Sequence, residues 1–131
     1  MKSFLLSALA GAAVATNKAY NTSQAAISLQ LSEYAYCGHS LYDQVTWGGA
    51  ATGFILKSTI YDIIDDTNGY IGYLPSDNSI YVVFRGSESI LNWITNLDAT
   101  QTLYTSYPEC NCNVHAGFYA AEQRALAQVV N

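Results

Sequence analysis

The sequence has few charged residues, and it is poorest in basic ones. Asp, Glu, Lys and Arg make up 11% of the 131 residues, and five basic side chains against ten acidic ones give a net charge of −5. This charge argues against nucleic acid and anionic membranes as partners, because both attract basic proteins. The hydrophobic share of 50% is high for so small a domain, whose surface is large relative to its volume. We therefore expect further polypeptide to cover part of this surface.

The sequence also lacks an apolar run of the roughly 20 residues that a transmembrane helix needs, so we expect no transmembrane segment. A shorter apolar run at residues 4–12 follows the basic Lys2 and precedes small residues at 13–15. This order is typical of a secretory signal peptide. We predict a signal peptide over residues 1–15 and one secreted, extracellular domain over 16–131.

The strongest local pattern is a strand that ends at a tight turn before an amphipathic helix. Residues 80–84 are all apolar and rich in β-branched and aromatic side chains, which is typical of a strand covered on both faces. Arg85-Gly86-Ser87 breaks this pattern and places a hydroxyl at the strand end, where α/β sheets bind ligands. Ser89 is a suitable N-cap for the helix. The apolar residues that recur at helical spacing are Ile90, Trp93, Ile94 and Leu97.

The segments around this junction also carry clear patterns. The paired acids Asp65 and Asp66 lie in a turn between two strands, where we expect them to face water rather than to act as a general acid and base. Hydrophobic periodicity and turn residues define the other segments. The predicted elements are a helix over 24–36, strands over 54–61, 70–74 and 80–84, of which the last two form a hairpin, and a helix over 117–129.

At these residues the sequence resembles the fungal-type class 3 lipases and feruloyl esterases, which are secreted α/β-hydrolases. The resemblance extends from about residue 23 to the end of the chain. It implies the N-terminal portion of an α/β-hydrolase fold, a mixed sheet with flanking helices. The segments that carry it are residues 82–87 (VVFRGS), Asn92-Trp93, Leu97-Asp98 and residues 114–119 (VHAGFY).

The resemblance also implies roles for particular residues. Ser87 corresponds to the residue that supplies oxyanion-hole donors, and the helix that follows corresponds to a lid that carries a tryptophan. The predicted lid residues that face substrate are Trp93, Ile90, Ile94 and Leu97.

The catalytic triad of such an enzyme is not found in this sequence. An α/β-hydrolase carries its nucleophile in a G-x-S-x-G motif, and no such motif occurs here. His39 is expected in a loop and His115 at a structural position, neither where the family has its base. The chain is therefore expected to be truncated before the nucleophile elbow, to be inactive by itself and to need a missing C-terminal half.

For the complete protein we expect a secreted carboxylic ester hydrolase of the triacylglycerol lipase type. Its partners would be lipid or other ester substrates and a lipid–water interface, and no cofactor is implied. The alternative is a non-catalytic, lipase-derived protein that binds lipids or esters. A third interpretation, a carbohydrate-binding module built on the eleven tyrosines, does not explain the lipase-like motifs.

Three cysteines leave one without a partner inside the chain. Cys110 and Cys112 are separated by a single residue, so a disulfide between them is strained, and with His115 they could instead bind zinc. An oxidising compartment favours the disulfide, and we expect no metal. The resemblance implies that Cys37 pairs with a cysteine near the far C-terminus, which is missing here.

Asn21-Thr22-Ser23 is an N-x-S sequon immediately before the first predicted helix. Asn21 is therefore a candidate for N-glycosylation in a secreted eukaryotic protein. The same segment can cap the helix, through Thr22 or Ser23.

Overall fold

A three-stranded antiparallel sheet forms the centre of the structure, a computed structural model that describes residues 19–130. The predicted signal peptide, residues 1–15, lies outside the described residues. Short 3₁₀ helices occupy the connections at His39–Gln44, Gly49–Ala51 and Pro108–Cys110. The elements are α1 (Thr22–Tyr34), β1 (Ile55–Asp62), β2 (Thr67–Leu74), β3 (Ser79–Phe84), α2 (Ile90–Leu97), β4 (Gln101–Leu103), β5 (Asn113–His115) and α3 (Ala116–Val129).

The sheet has the order β1-β2-β3, and both of its connections are tight turns. Asp66 and Asn78 adopt positive φ in these turns, 52° and 49°, a conformation that Asp and Asn tolerate. The predicted hairpin of β2 and β3 is confirmed, with Gly69 opposite Phe84. β2 begins at Thr67, three residues before its predicted start at 70, because the turn is shorter than its polar composition indicates.

The core lies between α1 and one face of the sheet, and two buried tyrosines join them. The Tyr70 hydroxyl donates to the backbone oxygen of Leu31 at 2.6 Å, and the Tyr42 hydroxyl donates to that of Ala35 at 2.8 Å. Both tyrosine rings are fully buried, and these bonds satisfy polar groups that burial would otherwise penalise. Burial also raises the pKa of Tyr42 to about 12. Trp47 packs against Tyr70 and completes the aromatic cluster.

β3 is covered on one face only within the described part of the chain, so the prediction of cover on both faces is wrong there. Tyr81 and Val83 pack against the core, whereas Ile80, Val82 and Phe84 are 75%, 43% and 47% exposed. The reason is topological, because β3 is the last strand in the sheet order and α3 packs mainly on β1 and β2.

Two further findings concern the described residues as a whole. No helix among residues 19–130 is long and apolar enough to span a membrane. The predicted helices are confirmed as α1, α2 and α3, with ends that differ by one or two residues from the predicted ones.

Gly72 tests the packing of the sheet against the core. A Cβ at this position would overlap the Phe54 ring and lie 2.7 Å from the backbone oxygen of Ile55, so Gly72→Ala requires both the ring and the neighbouring strand to move. We expect a loss of about 1–3 kcal/mol in the free energy of unfolding, measured by urea denaturation. Gly38→Ala is the matched control, because its Cβ would have no neighbour closer than 4.0 Å, and it should leave stability unchanged. Equal stability of the two variants would contradict this packing.

Candidate functional site

The candidate site begins where β3 ends. The Arg85 backbone N–H continues the ladder by donating to the Asn68 oxygen at 2.8 Å. Gly86 then passes beneath Tyr36, whose hydroxyl would lie 2.5 Å from a Cβ at this position. A side chain at this position would require the exposed Tyr36 ring to shift. The turn thereby brings Ser87 to the end of the sheet, as predicted from the sequence.

Ser87 is exposed, and its hydroxyl has one hydrogen-bond partner among the described residues. The Asn96 side-chain amide donates to Ser87 Oγ at 2.7 Å. Because Asn96 is the donor, the hydroxyl proton of Ser87 is not used in this bond and can be donated to another acceptor. The arrangement therefore fits a group that donates to a developing negative charge.

Arg85 places a nearly buried positive charge directly before this turn. Its side chain is 10% exposed, and its guanidinium lies 2.8 Å from an Asp66 carboxylate oxygen and 2.9 Å from one of Glu88. Arg124, in α3, forms ion pairs with Asp65 and with Asp62. The expectation that Asp65 and Asp66 face water is therefore wrong, because two arginines draw both carboxylates into ion pairs.

Asn92 fastens the start of α2 to the turn between β1 and β2. Its side-chain oxygen accepts the backbone N–H groups of Glu88 and Ser89 at 3.2 and 3.3 Å. Its amide donates to the backbone oxygens of Asp65 and Asp66. Ser89 caps the helix in return by accepting the Asn92 N–H at 3.2 Å, so the predicted N-cap is confirmed. The first turn of α2 is thus held to the neighbouring turn by polar contacts.

The apolar residues of α2 face away from the core. The helix has no buried residue, and Trp93 is 56% exposed. At this exposure Trp93 is not buried in a core among the described residues. The other predicted lid residues, Ile90, Ile94 and Leu97, are also exposed. Such a contiguous apolar surface marks a binding face in soluble proteins.

A groove of about 410 Å³ lies between β3, α2 and α3. Ser87, Asn92, Thr95 and Asn96 contribute polar groups to its wall on the side of α2. Much of the remaining wall is apolar, which makes the groove suitable for a ligand with a hydrocarbon part and a polar group. The apolar lining residues are Val82, Phe84, Phe118, Ala121, Ala125, Leu126 and Val129.

Comparisons with known proteins agree with this geometry. The family model described as Lipase (class 3) matches residues 81–131. The lipase of Rhizomucor miehei is 34% identical, over 76% of this chain and 29% of that protein. A secreted alkaline triacylglycerol lipase of Penicillium cyclopium is 36% identical, over 38% of this chain and 18% of that protein.

Solved structures give the same result. The Rhizomucor miehei triacylglyceride lipase superimposes with a TM-score of 0.67 at 28% identity, covering 86% of this chain and 44% of that one. A fungal lipase–inhibitor complex superimposes with a TM-score of 0.64 at 31% identity, covering 85% and 42%. The chain belongs to the class 3 lipase family. The predicted fold class, part of an α/β-hydrolase, is confirmed, and the chain spans less than half the length of the relatives and structures it matches.

The disulfide between Cys110 and Cys112 is present, with their Cα atoms 5.2 Å apart, within the ordinary range for such bonds. The zinc alternative is therefore wrong, because both sulfurs are used. Cys37 is half-buried and has no disulfide partner in the part of the chain that the structure describes. Its predicted partner in the rest of a class 3 lipase remains a prediction.

The two histidines have contacts of a structural kind. His115 caps α3, because its Nδ1 accepts the Phe118 N–H at 3.2 Å. Its Nε2 is buried and has no partner among residues 19–130. His39, predicted to lie in a loop, begins a 3₁₀ helix and stacks on Tyr61 with ring centroids 3.7 Å apart. Neither histidine lines the groove beside Ser87.

The polar contacts that hold the turn at Arg85-Gly86-Ser87 were not predicted from the sequence. Arg85 and Asn92 lie inside the segments that carry the resemblance, but their contacts connect residues up to 27 positions apart. Asn96 gives no sequence signal for its bond to Ser87. The spacing of Ser89 and Asn92 was the one usable signal, since it matches a capping box with Asn in place of Glu.

The Asp66–Arg85 ion pair should make stability depend on pH. Burial acts to raise the pKa of Asp66, but hydrogen bonds from Ser89 and Arg85 and the Arg85 charge outweigh it and hold the pKa below its usual value. The stabilisation is therefore complete above about pH 4, the pKa in an unfolded chain, and is lost as the pH falls through the lower folded-state value.

Asp66→Asn should cost about 1–2 kcal/mol at pH 7 and much less in acid. Urea denaturation at several pH values measures this difference. The exposed Asp43 provides the control, and Asp43→Asn should change stability by less than about 0.5 kcal/mol. A loss for Asp66→Asn that stays constant from pH 7 down to strong acid would contradict the ion pair.

Proposed function

We propose that this chain supplies the oxyanion turn and the lid of a secreted carboxylic ester hydrolase that acts on triacylglycerols at a lipid–water interface. The observation that supports this proposal most strongly is the position of Ser87. Ser87 lies at the end of β3, its hydroxyl proton is free, and it lines an apolar groove. A secreted alkaline triacylglycerol lipase and a triacylglyceride lipase among the relatives support the substrate class.

The chemistry divides between this chain and the remainder of such an enzyme. A serine nucleophile, activated by a histidine, would attack the ester carbonyl and form a tetrahedral intermediate with a negative oxygen. Ser87 would donate to that oxygen, and its interaction would be strongest in the transition state. The nucleophile is assigned to the remainder because no G-x-S-x-G motif occurs in this sequence.

The exposed face of α2 would carry the interfacial step. Its apolar side chains cannot all be hidden by the groove, since Ile90 and Leu97 are 80% and 79% exposed. Contact with a lipid surface would bury them, which stabilises the bound state by roughly 25 cal/mol for each Å² of apolar area removed from water. The net charge of −5 favours neutral triacylglycerol over anionic lipid.

A second candidate is a non-catalytic protein that binds lipids or esters through the same groove and helix. The missing G-x-S-x-G motif favours it. The two proposals differ in one measurable respect, since only the hydrolase gains esterase activity when the remainder of a class 3 lipase is supplied.

Ser87→Ala tests the hydrolase in a protein that joins this chain to the remainder of the Rhizomucor miehei lipase. We expect kcat to fall roughly 10²–10³-fold, about 2.7–4 kcal/mol, with KM nearly unchanged, because the donor acts on charge that develops in the transition state. Steady-state kinetics on a soluble short-chain nitrophenyl ester measure both constants. Ser87→Thr keeps the hydroxyl and should retain most activity. An unchanged kcat in Ser87→Ala would remove Ser87 from the oxyanion hole.

Trp93→Ala tests the lid in the same joined protein. Because Trp93 is 56% exposed, the substitution should change the free energy of unfolding by less than about 1 kcal/mol. Activity on an emulsified long-chain triacylglycerol should fall severalfold, whereas activity on the soluble ester should persist. Tyr107 is also 56% exposed but lies outside α2, so Tyr107→Ala is the matched control. A parallel loss of both activities with a large drop in Tm would contradict the lid.

A further inference from the structure

Asn21-Thr22-Ser23 is the one N-x-S or N-x-T sequon in the sequence, and the function proposed above does not use it. Transfer of an oligosaccharide to such an asparagine takes place in the lumen of the eukaryotic secretory pathway. The inference therefore rests on the proposed secretion of the protein. It also requires the folded chain to leave the acceptor nitrogen accessible.

The oxygen and the nitrogen of the Asn21 side chain have different roles in the structure. Its Oδ1 accepts the Gln24 backbone N–H at 3.1 Å, so Asn21 is the N-cap of α1. This corrects the prediction that Thr22 or Ser23 caps the helix. Asn21 Nδ2 makes no hydrogen bond within residues 19–130, and the side chain is exposed. A sugar on Nδ2 would thus leave the capping oxygen in place.

Asn21 also lies at the end of the sheet that is remote from the candidate site. Gln24, one turn further along α1, donates to the Asp77 carboxylate at 3.0 Å and to the Tyr81 hydroxyl at 2.8 Å. These contacts place the start of α1 beside the turn that precedes β3. Ser87 follows the opposite end of β3, and a strand of six residues spans about 17 Å. The attachment point of a glycan on Asn21 would therefore be separated from Ser87 by about the length of β3.

We propose that Asn21 is N-glycosylated and that it continues to cap α1 after modification. The donor is an oligosaccharide linked to a polyisoprenyl diphosphate. Nδ2 attacks C1 of the first sugar, the N–C1 bond forms, and the bond from C1 to the phosphate oxygen breaks. The lipid diphosphate leaves with the bonding electrons, and one proton of the Asn21 amide passes to a base of the transferase.

The test is translation of the 131-residue chain in the presence of eukaryotic microsomes, followed by protease protection, intact-mass measurement and peptide-N-glycosidase treatment. We expect a protected chain that carries one glycan, which the glycosidase removes while converting the asparagine to aspartate. Ser23→Ala destroys the sequon and keeps the cap, and Asn21→Asp keeps a capping oxygen without an acceptor nitrogen. Both variants should be protected and carry no glycan, whereas Ser23→Thr should remain glycosylated.

The outcomes separate the glycan from secretion. A protected chain without glycan would overturn the glycosylation and leave secretion standing. An unprotected chain would contradict the proposed secretion, and replacing residues 1–15 with an established leader peptide then decides the glycan. With that leader, a glycan on Asn21 supports the site and its absence overturns it.

Thermal unfolding tests the claim that the cap survives. The glycosylated chain, the Ser23→Ala variant and the Asn21→Asp variant should have Tm values within about two degrees of one another, because each retains the capping oxygen. Asn21→Ala removes the cap and should melt several degrees lower. A glycosylated chain that melts as low as Asn21→Ala would overturn the proposed geometry.

Discussion

The structure of the site depends on the positive charge of Arg85, which keeps its proton although its side chain is nearly buried. Arg85 follows the apolar strand β3 and its side chain is only 10% exposed. A guanidinium keeps its proton in proteins, so burial of this side chain requires anionic partners. Asp66 from the turn between β1 and β2 and Glu88 from the segment before α2 supply them. The end of β3, that turn and the start of α2 are thereby tied to the same guanidinium.

Because of these contacts, the two ends of α2 are held in different ways. At its start, Asn92 adds hydrogen bonds to the same turn that holds Arg85, so the helix is attached to the sheet by polar groups. Towards its other end, Asn96 reaches back to the Ser87 hydroxyl, and the neighbouring Leu97 is exposed. The orientation of Ser87 therefore depends on the position of α2. A movement of the helix that breaks the Asn96 contact would also remove a bond that orients the Ser87 hydroxyl.

The secondary-structure elements of this site could be predicted from the sequence, but the contacts between them could not. The run at 80–84, the turn at Gly86 and the helix capped by Ser89 depend on local spacing, and each was predictable. The one-sided cover of β3 was not predictable, because an unbroken apolar run indicates a strand but not which layers are present to cover it. The pairing of Asp65 and Asp66 with arginines was missed for a related reason, since Arg124 lies some 60 residues away. Contacts of that range follow from topology, which periodicity does not specify.

The open edge of β3 and the apolar face of α2 are both exposed, but they suit different partners. The difference lies in the hydrogen bonding of their backbone groups. β3 pairs with β2 along one edge, while its other edge has no neighbour among the described strands. Lipid cannot satisfy free N–H and C=O groups, so polypeptide is the suitable partner for that edge. The backbone of α2 is bonded within the helix between its two ends, and its apolar side chains are exposed. These side chains can contact lipid without presenting an open strand edge to it, as an interfacial lid requires.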